Sequence, residues 1–96
     1  MKIEPAERAA YIREKLMAAL APIHLEILDE SAAHAGHNPA AKKGGTHFRV
    51  AIISDAFAGH SRMERHRMVY AALADVMQKG LHALTIEARA PGELQL

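Results

Sequence analysis

The chain has no cysteine and no tryptophan, and only two Phe and two Tyr among 96 residues. Without cysteine there is no disulfide, no thiolate nucleophile and no metal site built from this chain's own sulfur anions. The sequence also lacks a Gly-x-Ser-x-Gly elbow and a phosphate-binding glycine loop, so catalysis finds no support and the expectation is not an enzyme. Charge of one sign is scarce too. The formal net charge is +1, which creates no global basic field, and nucleic-acid binding would need a local patch. Finally, there is no long apolar run. The N-terminal stretch MKIEPAERAAYIREKL mixes acids with bases, unlike a signal peptide or a membrane span. A cytoplasmic protein with no membrane partner is the expectation.

Other features are plentiful. Hydrophobic residues make up 50% of the chain, enough for one core, and the length suits a single domain over residues 1–96. With so few aromatics, aliphatic side chains and alanine must fill that core. Seven histidines are many for this length. Apart from methionine, they are the only soft-metal ligands available.

Hydrophobic periodicity predicts the elements. Pro5 suits a helical first turn, and Ala9, Ile12, Leu16 and Leu20 recur at helical spacing until Pro22 stops the helix near Ala19–Ala21. Residues 23–29 alternate, with Ile23, Leu25 and Ile27 on one face of a strand. The stretch SAAHAGHNPAAKKGGT, residues 31–46, breaks every pattern and reads as a long loop. FRVAIIS, residues 48–54, is a second strand with Phe48, Val50 and Ile52 on one face, antiparallel to the first. Gly59 is free to take positive φ in the next turn. Ser61 with Glu64 forms the pattern of a capping box, opening a helix to about Gln78, with Gly80 as its stop. Met63, Tyr70, Leu73 and Met77 mark the expected buried stripe of that helix, which is split or continuous. Leu84, Ile86 and Ala88 alternate with Thr85, Glu87 and Arg89 in a third strand. Because this strand returns after a helix, a crossover and a mixed sheet follow. The expected architecture is α+β, a three-stranded mixed sheet with helices on one face.

Residues 47–91 carry a recognisable set of motifs. These are Phe57-Ala58-Gly59, the run Arg65-His66-Arg67-Met68-Val69-Tyr70, and His82-Ala83-Leu84. Together with the upstream DESAAHAGH, they closely resemble the BolA family from about Ile12 onward. The resemblance implies a class II KH-like fold in the order α-β-β-α-α-β. It implies partnership with a monothiol glutaredoxin through a shared [2Fe-2S] cluster, and so a role in iron–sulfur trafficking or iron sensing. It also implies an alternative, a DNA-binding transcriptional regulator.

The resemblance assigns the site residues. His82 matches the family's C-terminal histidine, a cluster ligand. In histidine-type members the loop supplies the second ligand; His34 matches it best, and His37 is the alternative loop ligand. Imidazole replaces thiolate on one iron in some clusters, and a partner cysteine with glutathione would supply the sulfur. The free chain is expected to carry no cofactor. Ligating imidazoles must be neutral, so binding depends on pH. His66, four residues before Tyr70, falls on the expected apolar stripe. It is read first as structural, donating to a backbone carbonyl near the sheet, and second as adjacent to the cluster. Arg65 and Arg67 should flank it towards solvent. With Arg62 they form a basic stretch suited to an acidic partner, or to DNA phosphates in a helix-turn-helix-like contact. Glu64 and Asp75 on the same helix, and the lack of a Gly-x-x-Gly loop, weigh against nucleic acid. Whether the free chain forms a homodimer is left open.

Overall fold

The computed structural model describes residues 7–30, 47–77 and 83–93. The first element, α1, spans Arg8–Leu20 and buries Ile12, Leu16 and Leu20, one residue per turn on one face. It ends at Ala21, which takes the left-handed conformation with φ 43° and donates its N–H to the Met17 carbonyl at 3.2 Å. Glycine normally fills that position, because a Cβ there crowds the following carbonyl oxygen. Pro22 bars the helical alternative, so alanine bears the strain.

Strand β1 spans His24–Asp29 and β2 spans His47–Ile53. They pair antiparallel, with Leu25 opposite Ile52 and Ile27 opposite Val50. Phe48, Val50 and Ile52 are buried on the helix-covered face, as their alternation predicts. Ile23 departs from expectation. It is 68% exposed, because the bend after Pro22 turns its side chain outward before the strand begins.

A short 3-10 turn, Asp55–Phe57, follows β2 and drives Phe57 fully into the core. Its first N–H groups need an acceptor, and Ser54 supplies one to Ala56 at 3.1 Å. The Ser54 hydroxyl also donates to the Leu20 carbonyl at 2.5 Å, joining the end of α1 to the end of β2. Gly59 then turns the chain at φ 78°.

Helix α2 spans Arg62–Ala72 and opens with the expected capping box. Ser61 accepts from the Glu64 N–H at 3.1 Å, and the Glu64 carboxylate accepts from the Ser61 N–H at 2.7 Å. The helix breaks at Leu73, whose N–H is shared between the Val69 and Tyr70 carbonyls, and resumes as α3, Ala74–Met77. Gln78 and Gly80 lie outside the described residues. The buried stripe is Val69, Leu73 and Val76, not the one expected. Leu73 is buried as predicted, whereas Met63 is 63% exposed and Tyr70 38%; the side chain of Met77 lies outside the described residues. Alanines at 71, 72 and 74 blur the contrast between faces, so the large residues misplace the stripe by part of a turn.

Strand β3, Ala83–Arg89, pairs with β2 in parallel, completing a three-stranded mixed sheet of order β1-β2-β3. Parallel neighbours need a crossover, and α2 with α3 provides it. The core lies between one face of the sheet and the helices: Ile12, Leu16, Phe48, Val50, Phe57, Val69, Leu73 and Val76. The opposite face mixes Glu26, Arg49 and Glu87 with Leu28, Ala51 and Ile53. There Arg49 of β2 bonds Glu30, the residue after β1, at 3.3 Å and Glu87 of β3 at 3.0 Å. Among the described residues no helix is long and apolar enough to cross a membrane.

Two substitutions test this account by urea unfolding. Ala21→Gly relieves the left-handed strain and is expected to stabilise by up to about 1 kcal/mol, the gain being reduced by glycine's unfolded-state entropy. Phe57→Ala empties a filled core position and should cost about 3–5 kcal/mol.

Candidate functional site

The ligand candidates His34, His37 and His82 lie outside the described residues. Among the described residues no group of three or more His, Asp or Glu side chains is placed to hold a metal. The structure does bring together Arg62, Arg65 and His66 with His60. They line an open cleft of about 530 Å³ between the first turns of α2 and the outer edge of β3. Ile86, Glu87, Ala88, Arg89 and Glu93 complete its walls.

Arg65 organises this cleft. Its guanidinium donates to both oxygens of Glu93, at 2.6 and 2.8 Å, to the Ala88 carbonyl at 3.2 Å, and to the His60 carbonyl at 2.9 Å. Such a two-pronged arginine–carboxylate pair is the strong geometry for this kind of contact. The side chain is 12% exposed, so the expectation that Arg65 points to solvent is overturned. It reaches across the helix end to the sheet because β3 presents an outward carbonyl there. The bond expected of His66, to a carbonyl near the sheet, is thus made by its neighbour. His66 is half-buried at the cleft wall and has no hydrogen-bond partner among the described residues. Three residues before Val69 and seven before Leu73, it lies at the margin of the buried stripe.

Glu93 was not visible as a site residue. It is 28 positions from Arg65, beyond the reach of any local spacing rule. The signal was Pro91-Gly92, a turn that folds the chain back. Gly92 takes φ 86°, and the Ala90 N–H donates to Glu93 at 2.8 Å. The Arg65 guanidinium, and then the Ala90 amide, hold the Glu93 carboxyl down at about 2. The same bond raises the already high value of Arg65. The Glu64 carboxyl is lowered chiefly by the Ser61 amide it caps.

Arg62 and Arg67 are exposed and have no ion-pair partner among the described residues. Of the three arginines of the basic stretch, then, two are available to a partner and one is engaged internally. A second recess of about 430 Å³ adjoins the cleft, lined by Arg62, Met63 and His66.

The α-β-β-α-α-β order and the mixed sheet, with a histidine- and arginine-bearing helix packed beside it, define a small α+β domain. Comparison with known proteins makes the class specific. The family model of BolA-like proteins matches residues 16–93, and the chain belongs to the BolA family. It is 47% identical over 91 residues to SufE-like protein 1, chloroplastic/mitochondrial, of Arabidopsis thaliana, covering 91% of this chain but 24% of that protein. The chain therefore spans about a quarter of that relative's length. The solved BolA domain of SufE1 from Arabidopsis thaliana superposes with a TM-score of 0.82 at 48% identity, covering 91% of this chain and 95% of that one. The DNA-binding transcriptional regulator BolA of Escherichia coli (strain K12) is 43% identical over 75 residues, covering 78% of this chain and 68% of that protein.

The Arg65–Glu93 clasp has a defined pH dependence. The folded-state value of Glu93 lies below the ordinary 4.5, so the stabilisation is present above that ordinary value and is lost as pH falls towards about 2. Wild type should exceed Glu93→Gln in urea midpoint at neutral pH, and the two should converge between roughly pH 4.5 and pH 2. Arg65→Met removes the clasp without restoring it at any pH.

Proposed function

We propose that the chain is a binding module, not an enzyme, that partners a monothiol glutaredoxin. With it the chain co-ligates a [2Fe-2S] cluster for iron–sulfur trafficking or iron sensing. His82 and a loop histidine, His34 with His37 as the alternative, would supply imidazole ligands. The partner's cysteine and glutathione would supply the sulfur. Chemistry makes this division reasonable: a chain without cysteine offers half a donor set and needs the other half from outside.

One observation carries the reading. The first residue of β3, Ala83, pairs in register with the first residue of β2, His47, and the Glu30 N–H bonds the His47 carbonyl at 2.8 Å. Glu30 and His47, the described residues on either side of positions 31–46, therefore stand at the end of the sheet where β3 begins, and His82 is next in sequence before Ala83. Parallel pairing of β2 with β3 thus supports a site that draws on both segments. Family membership supports it independently.

The test is to mix the purified chain with a cluster-loaded monothiol glutaredoxin and record visible absorption and circular dichroism. The expected result is a new spectrum that His82→Ala abolishes and His34→Ala or His37→Ala alters. Spectra that never change, or that are the same for wild type and His82→Ala, would refute it.

The Escherichia coli relative, whose name describes a DNA-binding regulator, favours a second reading. In it Arg62 and Arg67 contact phosphates. Arg65 is a poor probe, since its loss opens the clasp to Glu93. If both exposed arginines contact duplex, the double variant Arg62→Gln/Arg67→Gln should lower the slope of log affinity against log salt by about 0.9 per contact. An unchanged slope in electrophoretic or anisotropy titrations would remove this reading.

A further inference from the structure

Strand β3 forms one edge of the sheet. The Arg89 carbonyl accepts from the Ser54 N–H at 3.0 Å, so Arg89 faces β2. The Ala88 carbonyl faces the opposite way and takes the Arg65 guanidinium. Alternation along the strand therefore turns the N–H and C=O of Ile86, and the N–H of Ala88, outward with it. Among the described residues nothing pairs with these three groups. An unpaired edge is a template for another strand unless it is covered. Here it forms one wall of the cleft against α2, and only the Ala88 carbonyl is capped.

The rest of the cleft selects what can bind. Arg62 holds a guanidinium without an ion partner among the described residues, whereas Arg65 is satisfied by Glu93 and Arg89 lies 3.9 Å from Glu87. The adjoining recess opens onto the exposed thioether of Met63, a side chain that adapts to varied apolar partners. Alternating backbone donors and acceptors, one free cation and one apolar pad lie together.

We infer that this cleft docks an extended, acidic segment of a partner protein, which adds to β3 as a fourth strand. The segment's backbone bonds Ile86 and Ala88, a carboxylate meets Arg62, and a neighbouring apolar side chain rests on Met63. Charge complementarity sets the sign of the partner. A nucleic-acid strand fits less well: its phosphodiester backbone offers acceptors only, which leaves the Ile86 carbonyl opposed, whereas a peptide strand offers both donors and acceptors. The inference goes beyond the cluster reading and does not depend on it.

The experiment uses the full chain, labelled for NMR, with the peptide Val-Glu-Val-Glu-Val at up to millimolar concentration. Amide hydrogen exchange at Ile86 and Ala88 should slow on addition, while that at Glu87, already bonded to β2, stays as it was. Arg62→Glu should weaken the acidic peptide by roughly tenfold, the loss of about one charge-assisted contact. A version N-methylated along its backbone should fail to protect either amide. Unchanged exchange at Ile86 and Ala88 would overturn the proposal, as would equal protection by Val-Lys-Val-Lys-Val. A single-stranded thymidine oligonucleotide that protects these amides where the acidic peptide does not would assign the cleft to nucleic acid instead.

Discussion

The parallel pairing of β2 with β3 is the constraint from which the architecture follows. Parallel neighbours cannot be joined by a tight turn, so the chain must climb back over the sheet, and α2 with α3 is that path. The climb lays the helices on one face of the sheet. It also brings both strands into the sheet from the same end, where His47 and Ala83 pair in register. At the far end it delivers β3 beneath the first turn of α2, where Arg65 can reach a strand carbonyl and a carboxylate beyond the strand.

These two ends of β3 support separate proposals. The strand is seven residues long, on the order of 23 Å from end to end at strand rise. The proposed cluster end lies before Ala83, and the cleft lies along Ile86–Arg89. A partner that completes a metal site at one end need not displace a segment docked along the edge near the other. The sheet between them is stiffened by Arg49, which ties β2 to β3 and to Glu30, the residue after β1, on the open face; individually such half-exposed pairs contribute little.

Much of this was legible in the sequence, for identifiable reasons. The β2 alternation of Phe48, Val50 and Ile52 stands out because Arg49 contrasts with it, and the Ser61/Glu64 cap is a local signal satisfied within three residues. The crossover followed from strand order alone. The α2 stripe was misread because helical phase was judged from the largest side chains. Met63 and Tyr70 are large but outward, and the exposed Ala71 and Ala74 leave the outward faces apolar too, so the inward Val69, Leu73 and Val76 do not stand out. The Arg65–Glu93 contact could not be read, because it depends on where a proline–glycine turn returns the chain. Its donor was visible, in the Arg65-His66-Arg67 run, but with the roles of arginine and histidine exchanged. Only the resemblance to the family singles out His34, His37 and His82, which periodicity does not, and these three fall outside the described residues.

Ser54 shows how few atoms hold the halves of this domain together. Its one hydroxyl donates to the last carbonyl of α1 and accepts from the turn that launches the crossover, while its own N–H reaches β3. The end of the first helix, the middle strand and the third strand are therefore mechanically joined at a single buried side chain. The amino-terminal helix cannot fray from its carboxyl end without loosening the root of the crossover. Opening at either place costs contacts at the other, which couples the carboxyl end of the first helix to the start of the crossover.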